Sequence, residues 1–562
     1  MPTHKILKVV LTNPGLQNLL AQELGISKIL AQLLINRQII NVSQGEKFLQ
    51  GGMNDLLRPD LFLDLPKAVN LVKKARENHQ PVMVFGDYDV DGLTSTVLIK
   101  NTLTKMGLKV LHHIPHRVKE GYGLNQQGVD LAKEHKVKLM ITADCGIANR
   151  QEISALRGAD IDVIVTDHHE PQGLSLPEAS CIINPKVKNS NYPYRDLAGV
   201  GVAYKFCQGL SNSLLSADLD LVALGTIADS VPLTGENRII VKVGLLELAQ
   251  TKRVGLQALI KNAGIENKKF NTVYVSFIIA PRLNASGRLG DAQVSFDLLT
   301  CQDPLKAQVL AKEVERFNRE RQKVESKIMQ EAEDLINSEI NFKDHKVIVL
   351  ARDNWHQGVL GIIASKLADR FYRPAIVISL TNELCKGSAR SIKNFHLFNA
   401  LTDCQEFLHS FGGHAHAAGL LISKDNIDDF RLSINRLASE RLTLEDLLPS
   451  IEVDLELKFS DLNESLIREL DLLAPFGMGN PEPLFFTRGL KLKGAVQLLN
   501  RGTLKFWATD GKTTLQVIAF GMSHLKASLL TSGSFDLIYT PKIDSWREEE
   551  TLILEAKDIF FK

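Results

Sequence analysis

The stretch "VFGDYDVDG" at 84–92 places Asp87, Asp89 and Asp91 within five residues, directly after an apolar run. Alternate residues of an extended segment point to one side, so these carboxylates crowd together. Unpaired, they raise one another's pKa values and weaken the fold. Two explanations fit the spacing: an acidic turn capping a helix that begins near Leu93, or a divalent cation held among the carboxylates. An EF-hand loop does not fit, because no glutamate stands at its twelfth position.

Three further clusters carry the same chemistry. "ITADCG" supplies Asp144, "VIVTDHHE" supplies Asp167, His168 and His169, and "LGTIADSVPL" supplies Asp229 at the end of an apolar helical stretch. Carboxylates with imidazole and no thiolate suit Mn2+ or Mg2+. So many carboxylates exceed the needs of one cation and suit two, about 3.5–4 Å apart, as in hydrolases of phosphate esters. Cys145 reads as a small buried residue, not a nucleophile. Phosphate-gripping candidates follow. "HIPHRVKEGYGL" carries Arg117 and Tyr122, "NASGRLG" carries Arg288 behind a small-residue turn, and "KGSARS" carries Ser388 and Arg390 in a turn. Arginine offers phosphate a two-pronged donor. "WHQGVLGIIAS" sets His356 and Gly358 before an apolar helix whose first amides can hold an anion, and "FGGHAHAAG" sets His414 in a glycine loop. For any one arginine a surface ion pair is the competing reading, and for His169 a core histidine is.

Such residues need a scaffold that gathers them. "PVMVF" (81–85), "KVLHHI" (109–114), "KLMITA" (138–143), "DVIVT" (162–166) and "SCIIN" (180–184) are short apolar runs separated by helical stretches. That rhythm predicts βαβ units and a mostly parallel sheet. Ligands then gather outside the carboxyl ends of the strands. Asp303-Pro304 opens a long helix reaching about Ile340. Its narrow stripe of Leu310, Val314, Phe317, Val324, Ile328 and Leu335 is interrupted by Arg321, which favours a rigid connector over a coiled-coil seam. "KVIVL" and "PAIVISL" predict strands of a second α/β domain. After about residue 450, short strands with turn signals at Asn500-Arg501-Gly502 and Asp510-Gly511 predict a small barrel or sandwich. Lys505, Trp507, Tyr539, Lys542 and Trp546 on those strands suit stacking of single-stranded nucleic acid, and equally suit ordinary cross-strand pairs.

The 562 residues are too many for one ordinary core, and 44% apolar with 23% charged residues is a globular balance. A net charge of +1 means that a polyanion must be met by local basic patches. The six cysteines form no C-x-x-C pair, which excludes a disulfide scaffold or zinc finger and fits a reducing cytoplasm. No run reaches the roughly 18 apolar residues of a membrane span, and the start lacks the apolar core of a signal peptide. The expectation is a soluble, cytoplasmic, multidomain protein without membrane contact.

"DYDVDG", "ADCG" and "TDHHE" resemble the DHH phosphoesterase superfamily. "GTIADSVPL", "PRLNASGRLG", "WHQGVLGIIAS" and "FGGHAHAAG" extend the resemblance to its nuclease branch of single-strand-specific 5′→3′ exonucleases. "LAPFGMGNPEP" (473–483) precedes an OB-fold in that branch. The resemblance implies an α/β protein: a parallel-sheet DHH domain joined by a long helix to a second α/β (DHHA1-type) domain, plus a C-terminal small β-barrel (OB-fold). It divides the chain into an N-terminal helical segment (1–65), the DHH catalytic domain (66–300), a connecting helix (301–342), the DHHA1-type substrate-binding domain (343–445) and the OB-fold nucleic-acid-binding domain (446–562).

The same resemblance puts the metal and catalytic site on Asp89, Asp91, Asp144, His168 and Asp229, with Asp144 bridging two ions and Asp87 and Asp167 in support. His169 then faces the scissile phosphate. Arg117, Ser388 and Arg390 would bind a 5′-terminal phosphate, and Tyr122, Arg288, His356 and His414 would complete the substrate surface. The implied activity is Mn2+- or Mg2+-dependent degradation of single-stranded DNA to 5′-mononucleotides in recombination and repair. The implied state is a monomer, with a single-stranded-DNA-binding protein and a helicase as partners. Two rivals use the same residues. A small-substrate enzyme of the superfamily needs no barrel after residue 450, and a nucleic-acid-binding adaptor leaves the carboxylate cluster without a purpose.

Overall fold

The computed structural model describes residues 5–171, 175–381, 383–544 and 551–561, so Trp546 lies outside the described residues. The chain forms two compact units. Leu57–Asp229 and Val243–Pro449 make the first, and Ile6–Leu56, Ser230–Lys242 and Ser450–Lys562 make the second.

In the first unit, five apolar runs form one parallel sheet. Its spatial order is Val110–His113, Val82–Phe85, Leu139–Ala143, Asp162–Thr166, Cys181–Ile183. The central strand Leu139–Ala143 and its neighbour Val82–Phe85 are buried on both faces, as a sheet covered by helices on both sides requires. The chain leaves Val82–Phe85 toward one edge and then returns to its other side. The carboxyl ends of Val82–Phe85 and Leu139–Ala143 therefore flank the point where strand order reverses. Phe85 pairs with Thr142, and Ala143 with Thr166, so three strand ends finish level. The loops carrying Asp87–Asp91, Asp144 and Asp167–His169 emerge side by side.

The helix Pro304–Glu339 runs 36 residues, about 54 Å at 1.5 Å per residue. Asp303 caps it by accepting from the amides of Leu305 and Lys306. The interruption at Arg321 is an internal polar knot, in which its guanidinium bonds Asn318 and Glu325, both buried. Beyond it stands a second sheet in the order Leu408–Gly413, Ala417–Ser423, Leu384–Arg390, Ala375–Ser379, Ile348–Arg352, parallel only between the last two.

Two local expectations are corrected here. "NASGRLG" is no turn: Asn284 to Arg288 lie inside the helix Ala280–Leu289, which follows a single π-helical turn, Val275–Ile279. Its small residues serve close packing, since a Cβ on Gly287 would lie 3.0 Å from the Tyr88 carbonyl oxygen. "KGSARS" is no turn over Lys386–Arg390 either, because these residues belong to the strand Leu384–Arg390. Cys385, Gly387 and Ala389 face the core, and Lys386, Ser388 and Arg390 alternate onto the other face.

The second unit contains the barrel. Strands Phe485–Leu499, Thr503–Thr509, Thr514–Ala519, Thr551–Phe561 and Phe535–Asp544 pair in that order, and the first pairs again with the last to close the ring. Arg501 and Gly502 take positive φ at the first turn and Gly511 at the second, as their turn signals require. Leu30, Leu33 and Leu34 share one core with Phe459, Leu504 and Phe535, so the N-terminal helices and the barrel bury their apolar faces together. "LAPFGMGNPEP" braces this unit. Asn480, fully buried, donates to the Leu473 and Pro475 carbonyls and accepts from Arg37. Tyr539 is buried, with its hydroxyl beside Thr487, which leaves it unable to stack a base, whereas Trp507 is 46% exposed. Lys542 is occupied by Glu482 and Glu555. No helix among the described residues is long and apolar enough to cross a membrane.

Candidate active site

The acidic segment caps its helix, as the first explanation of its spacing requires. Asp89 caps the helix Val90–Lys105 by accepting from the amides of Asp91 and Gly92. The Asn284 side chain accepts from the Val90 amide and pins the same turn. Asp91, inside the first turn, accepts from the amides of Gly199 and Val200 at 2.7 and 2.8 Å. These bonds aim the carboxylates without exhausting them.

Asp144 follows its strand in the left-handed region at φ 63°, a conformation costly for aspartate unless its surroundings impose it. Gly199 packs directly against it, and a Cβ there would lie 2.3 Å from Asp144 Oδ1. His168 Nε2 stands 3.3 Å from Asp144 Oδ1, 3.6 Å from Asp229 Oδ2 and 3.9 Å from Asp91 Oδ2. Ligand atoms of Asp91, His168 and Asp229 lie within 4.8 Å of one another, as do those of Asp87, Asp89 and Asp144 and those of Asp144, His168 and His169. Asp144 and His168 are thus each shared between neighbouring groups.

Buried carboxylates so arranged repel. Burial, reinforced by Asp89, pushes Asp87 and Asp144 well above the usual carboxylate range. Burial and the charges of Asp144 and Asp229 do the same to Asp91, and burial raises Asp229. Asp87 Oδ1, Asp144 Oδ1 and both ring nitrogens of His168 are buried without a hydrogen-bond partner. Orphaned oxygen and nitrogen donors, crowded acids and the lack of a thiolate among them fit divalent cations of the Mn2+ or Mg2+ kind.

Asp167 has a different part. Its carboxylate accepts from the amides of Ile147, His168 and His169 and from His169 Nδ1 at 2.8 Å. Burial pushes it up, but the hydrogen bond and charge of His169 outweigh that and bring it down to about 2. It braces the His168-His169 turn and stands outside the three ligand groups. Tyr122 lies against His169, with its hydroxyl 3.0 Å from Nδ1, and donates to the Asp144 carbonyl.

A cavity of about 490 Å³ lies in the same unit, lined by Arg117, Tyr122, Arg288, Ser388 and Arg390 together with Tyr88 and Lys386. Arg117 stacks over the Tyr88 ring at 4.7 Å, and Arg288 donates to the Gly358 carbonyl at 3.0 Å. The two predicted histidines do not line it. His356 Nδ1 accepts from the Gly358 amide and shapes the turn before the helix Leu360–Phe371. His414, at the hairpin between Leu408–Gly413 and Ala417–Ser423, is pushed down by burial and by the charge of His416, and stands within electrostatic reach of His169 and Lys186. Lys386 escaped the sequence reading, although strand alternation with Ser388 and Arg390 would have exposed it once the segment was read as extended.

The DHH family, N-terminal domain, matches residues 81–226, the DHHA1 domain 344–440 and the RecJ OB domain 453–558. The single-stranded-DNA-specific exonuclease RecJ of Haemophilus influenzae is 34% identical over 539 residues, spanning 91% of this chain and 93% of that protein. The chain belongs to the RecJ family. The RecJ of Bacillus subtilis strain 168 is 38% identical over 542 residues, 96% of this chain and 69% of that protein. Among solved structures, RecJ of Thermus thermophilus in complex with Mn2+ superposes with a TM-score of 0.87 at 28% identity, covering 100% of this chain and 80% of that one. RecJ from the same organism in complex with Mg2+ gives 0.81 at 26%, covering 100% of this chain and 79% of that one. The acid–histidine cluster therefore sits in a RecJ framework from the parallel sheet through the barrel.

Proposed function

We propose that this RecJ-family chain is a metal-dependent exonuclease that degrades single-stranded DNA from its 5′ end to 5′-mononucleotides, in DNA recombination and repair. The observation that carries the reading is a junction inside one unit. Tyr88, between Asp87 and Asp89, stacks on Arg117 of the cavity, and Tyr122 of the cavity touches His169. A strand whose terminal phosphate rests on Arg117, Ser388 and Arg390 then presents its first internucleotide bond to the acid–histidine cluster.

Asp87, Asp89, Asp91, Asp144, His168 and Asp229 would hold two divalent cations, Mn2+ or Mg2+, which when bound supply Lewis acidity toward water and the phosphoryl oxygens. Asp144, shared between ligand groups, is the candidate bridge. Asp167 fixes the His169 ring through Nδ1 and frees Nε2 to hand a proton to the departing O3′. Arg117, Ser388 and Arg390 orient the 5′ end, and Arg288 sets the wall opposite through Gly358. The barrel adds single-strand affinity through its exposed Trp507 and neighbouring Lys505. A monomeric state and contacts with a single-stranded-DNA-binding protein and a helicase belong to the same reading and draw on the family alone, while cytoplasmic residence draws also on the cysteine usage.

The test is a time course on 5′-phosphorylated single-stranded and blunt duplex DNA with Mn2+, Mg2+ or chelator, for wild type and Asp144→Ala. Metal-dependent 5′-mononucleotides from the single strand, lost in the variant, are expected. An inert polymer with rapidly cleaved dinucleotide would move the activity to small substrates.

A further inference from the structure

The cavity carries more positive charge than one terminal phosphate balances. Arg117, Arg288, Lys386 and Arg390 all line it, and no aspartate or glutamate stands among its lining residues. Arg288 and Arg390 donate to the carbonyls of Gly358 and Ala389, and Arg117 rests on the Tyr88 ring. Among the described residues no carboxylate is in ion-pair contact with any of the four, while the charges of Asp87 and Asp89 act on Arg117 and Arg288 from the acidic segment. Burial and the charge of Arg117 push Lys386, Arg390 and Arg288 below their ordinary values. The helix Leu360–Phe371 adds its amino end. A Cβ on Gly361 would lie 3.1 Å from Ser388 Oγ and 3.3 Å from Arg390 Nη2, so the helix start closes on these two side chains. A phosphomonoester brings only about −1.5 to −2.

We propose that this cavity accepts a di- or triphosphate group at the 5′ end of a strand, with Lys386 holding the phosphoryl groups beyond the first. The inference rests on the 5′-end reading of the cavity given above. Lys386 stands two residues before Ser388 on the same face of the strand, about 7 Å along it, which is within the reach of phosphoryl groups added beyond one held by Ser388 and Arg390. The chemistry at the cluster is unchanged. The oxygen of water bonds to the phosphorus of the first internucleotide link, the P–O3′ bond breaks, and O3′ leaves with a proton. The first nucleotide departs with its 5′-polyphosphate intact. A free nucleoside triphosphate offers the cavity the same group and would compete for it.

The experiment uses the full chain and three single strands of one sequence, bearing 5′-hydroxyl, 5′-monophosphate or 5′-triphosphate, at fixed free Mn2+. The triphosphate strand is expected to show a KM at or below that of the monophosphate strand, and to release a nucleoside triphosphate first. Lys386→Ala should raise the triphosphate KM about tenfold and the monophosphate KM by less, and Lys386→Arg should restore the order. Competitive inhibition by free nucleoside triphosphate, weakened in Lys386→Ala, would extend the site to free nucleotides. A triphosphate strand handled no better than the hydroxyl strand, while the monophosphate strand is preferred, overturns the proposal and leaves the exonuclease reading intact. Equal KM for hydroxyl and monophosphate strands instead removes end recognition altogether, and the proposal with it.

Discussion

The guanidinium of Arg117 lies 4.7 Å from the centre of the Tyr88 ring, so a residue of the acidic motif holds an arginine of the adjoining cavity. A cation over an aromatic face is worth about 1 kcal/mol, close to fivefold in binding. Tyr88→Ala should raise KM for 5′-phosphorylated strands by about that factor, and Tyr88→Phe, which keeps the ring, should stay near wild type. Equal losses in both variants would show that the hydroxyl, not the ring, matters.

The crowding of Asp91, Asp144 and Asp229 around His168 sets a stability expectation with a definite sign. Without metal the carboxylates repel, so Asp144→Asn should melt at a higher temperature than metal-free wild type. Mn2+ should raise the wild-type melting temperature, since a ligand at about 100 times its Kd adds about 2.7 kcal/mol. That gain should shrink in Asp144→Asn, together with exonuclease activity. Thermal melts with and without chelator check both, and a metal gain undiminished in the variant would remove Asp144 from the ligand set.

Gly199 donates its amide to Asp91 while leaving no room for a Cβ beside Asp144 Oδ1. Gly199→Ala should displace the Asp144 carboxylate and cost about 10²-fold in kcat, with weaker Mn2+ binding. Wild-type turnover in that variant would mean that the cluster tolerates the shift.

His112 stacks on Phe296 at 4.1 Å, with Lys100, Gln293 and Asp297 around it. Burial first, and then the Lys100 charge, pushes it down to about 4. The folded protein thus leaves His112 neutral where the unfolded chain takes up a proton, so stability falls as pH drops from about 6.5 toward 4. His112→Gln should flatten that part of the profile. Urea unfolding at pH 7 and pH 5 reads the difference, and an unaltered slope would assign the acid sensitivity to other groups.

In the second unit, Arg238 donates to the carbonyls of Phe48, Leu472 and Leu473 and lies 3.8 Å over the Phe48 ring. Arg238→Met keeps the apolar stem but strands three acceptors, at a cost of about 3 kcal/mol. Hydrogen exchange should quicken in Phe485–Leu499 while Val82–Phe85 keeps its protection. Equal loosening of both strands would contradict a local role.

Much of this protein is written locally. The five apolar runs became the five parallel strands, Asp303-Pro304 opened the long helix, and acids placed after strand ends came together at one sheet edge. Strand period, caps and turn chemistry act over a few residues, so the chain itself specifies them. Tertiary packing decided what a side chain does once placed. Asp167 became a brace because the Ile147 amide and the His169 ring reach it, and Tyr539 went into the barrel core. Asn284 to Arg288 form a helical turn that packs closely on Tyr88 at Gly287, and Lys386 joined the cavity because its strand buries the opposite face. Which face of an element is covered depends on neighbours far along the chain, and only the folded structure brings those neighbours into contact.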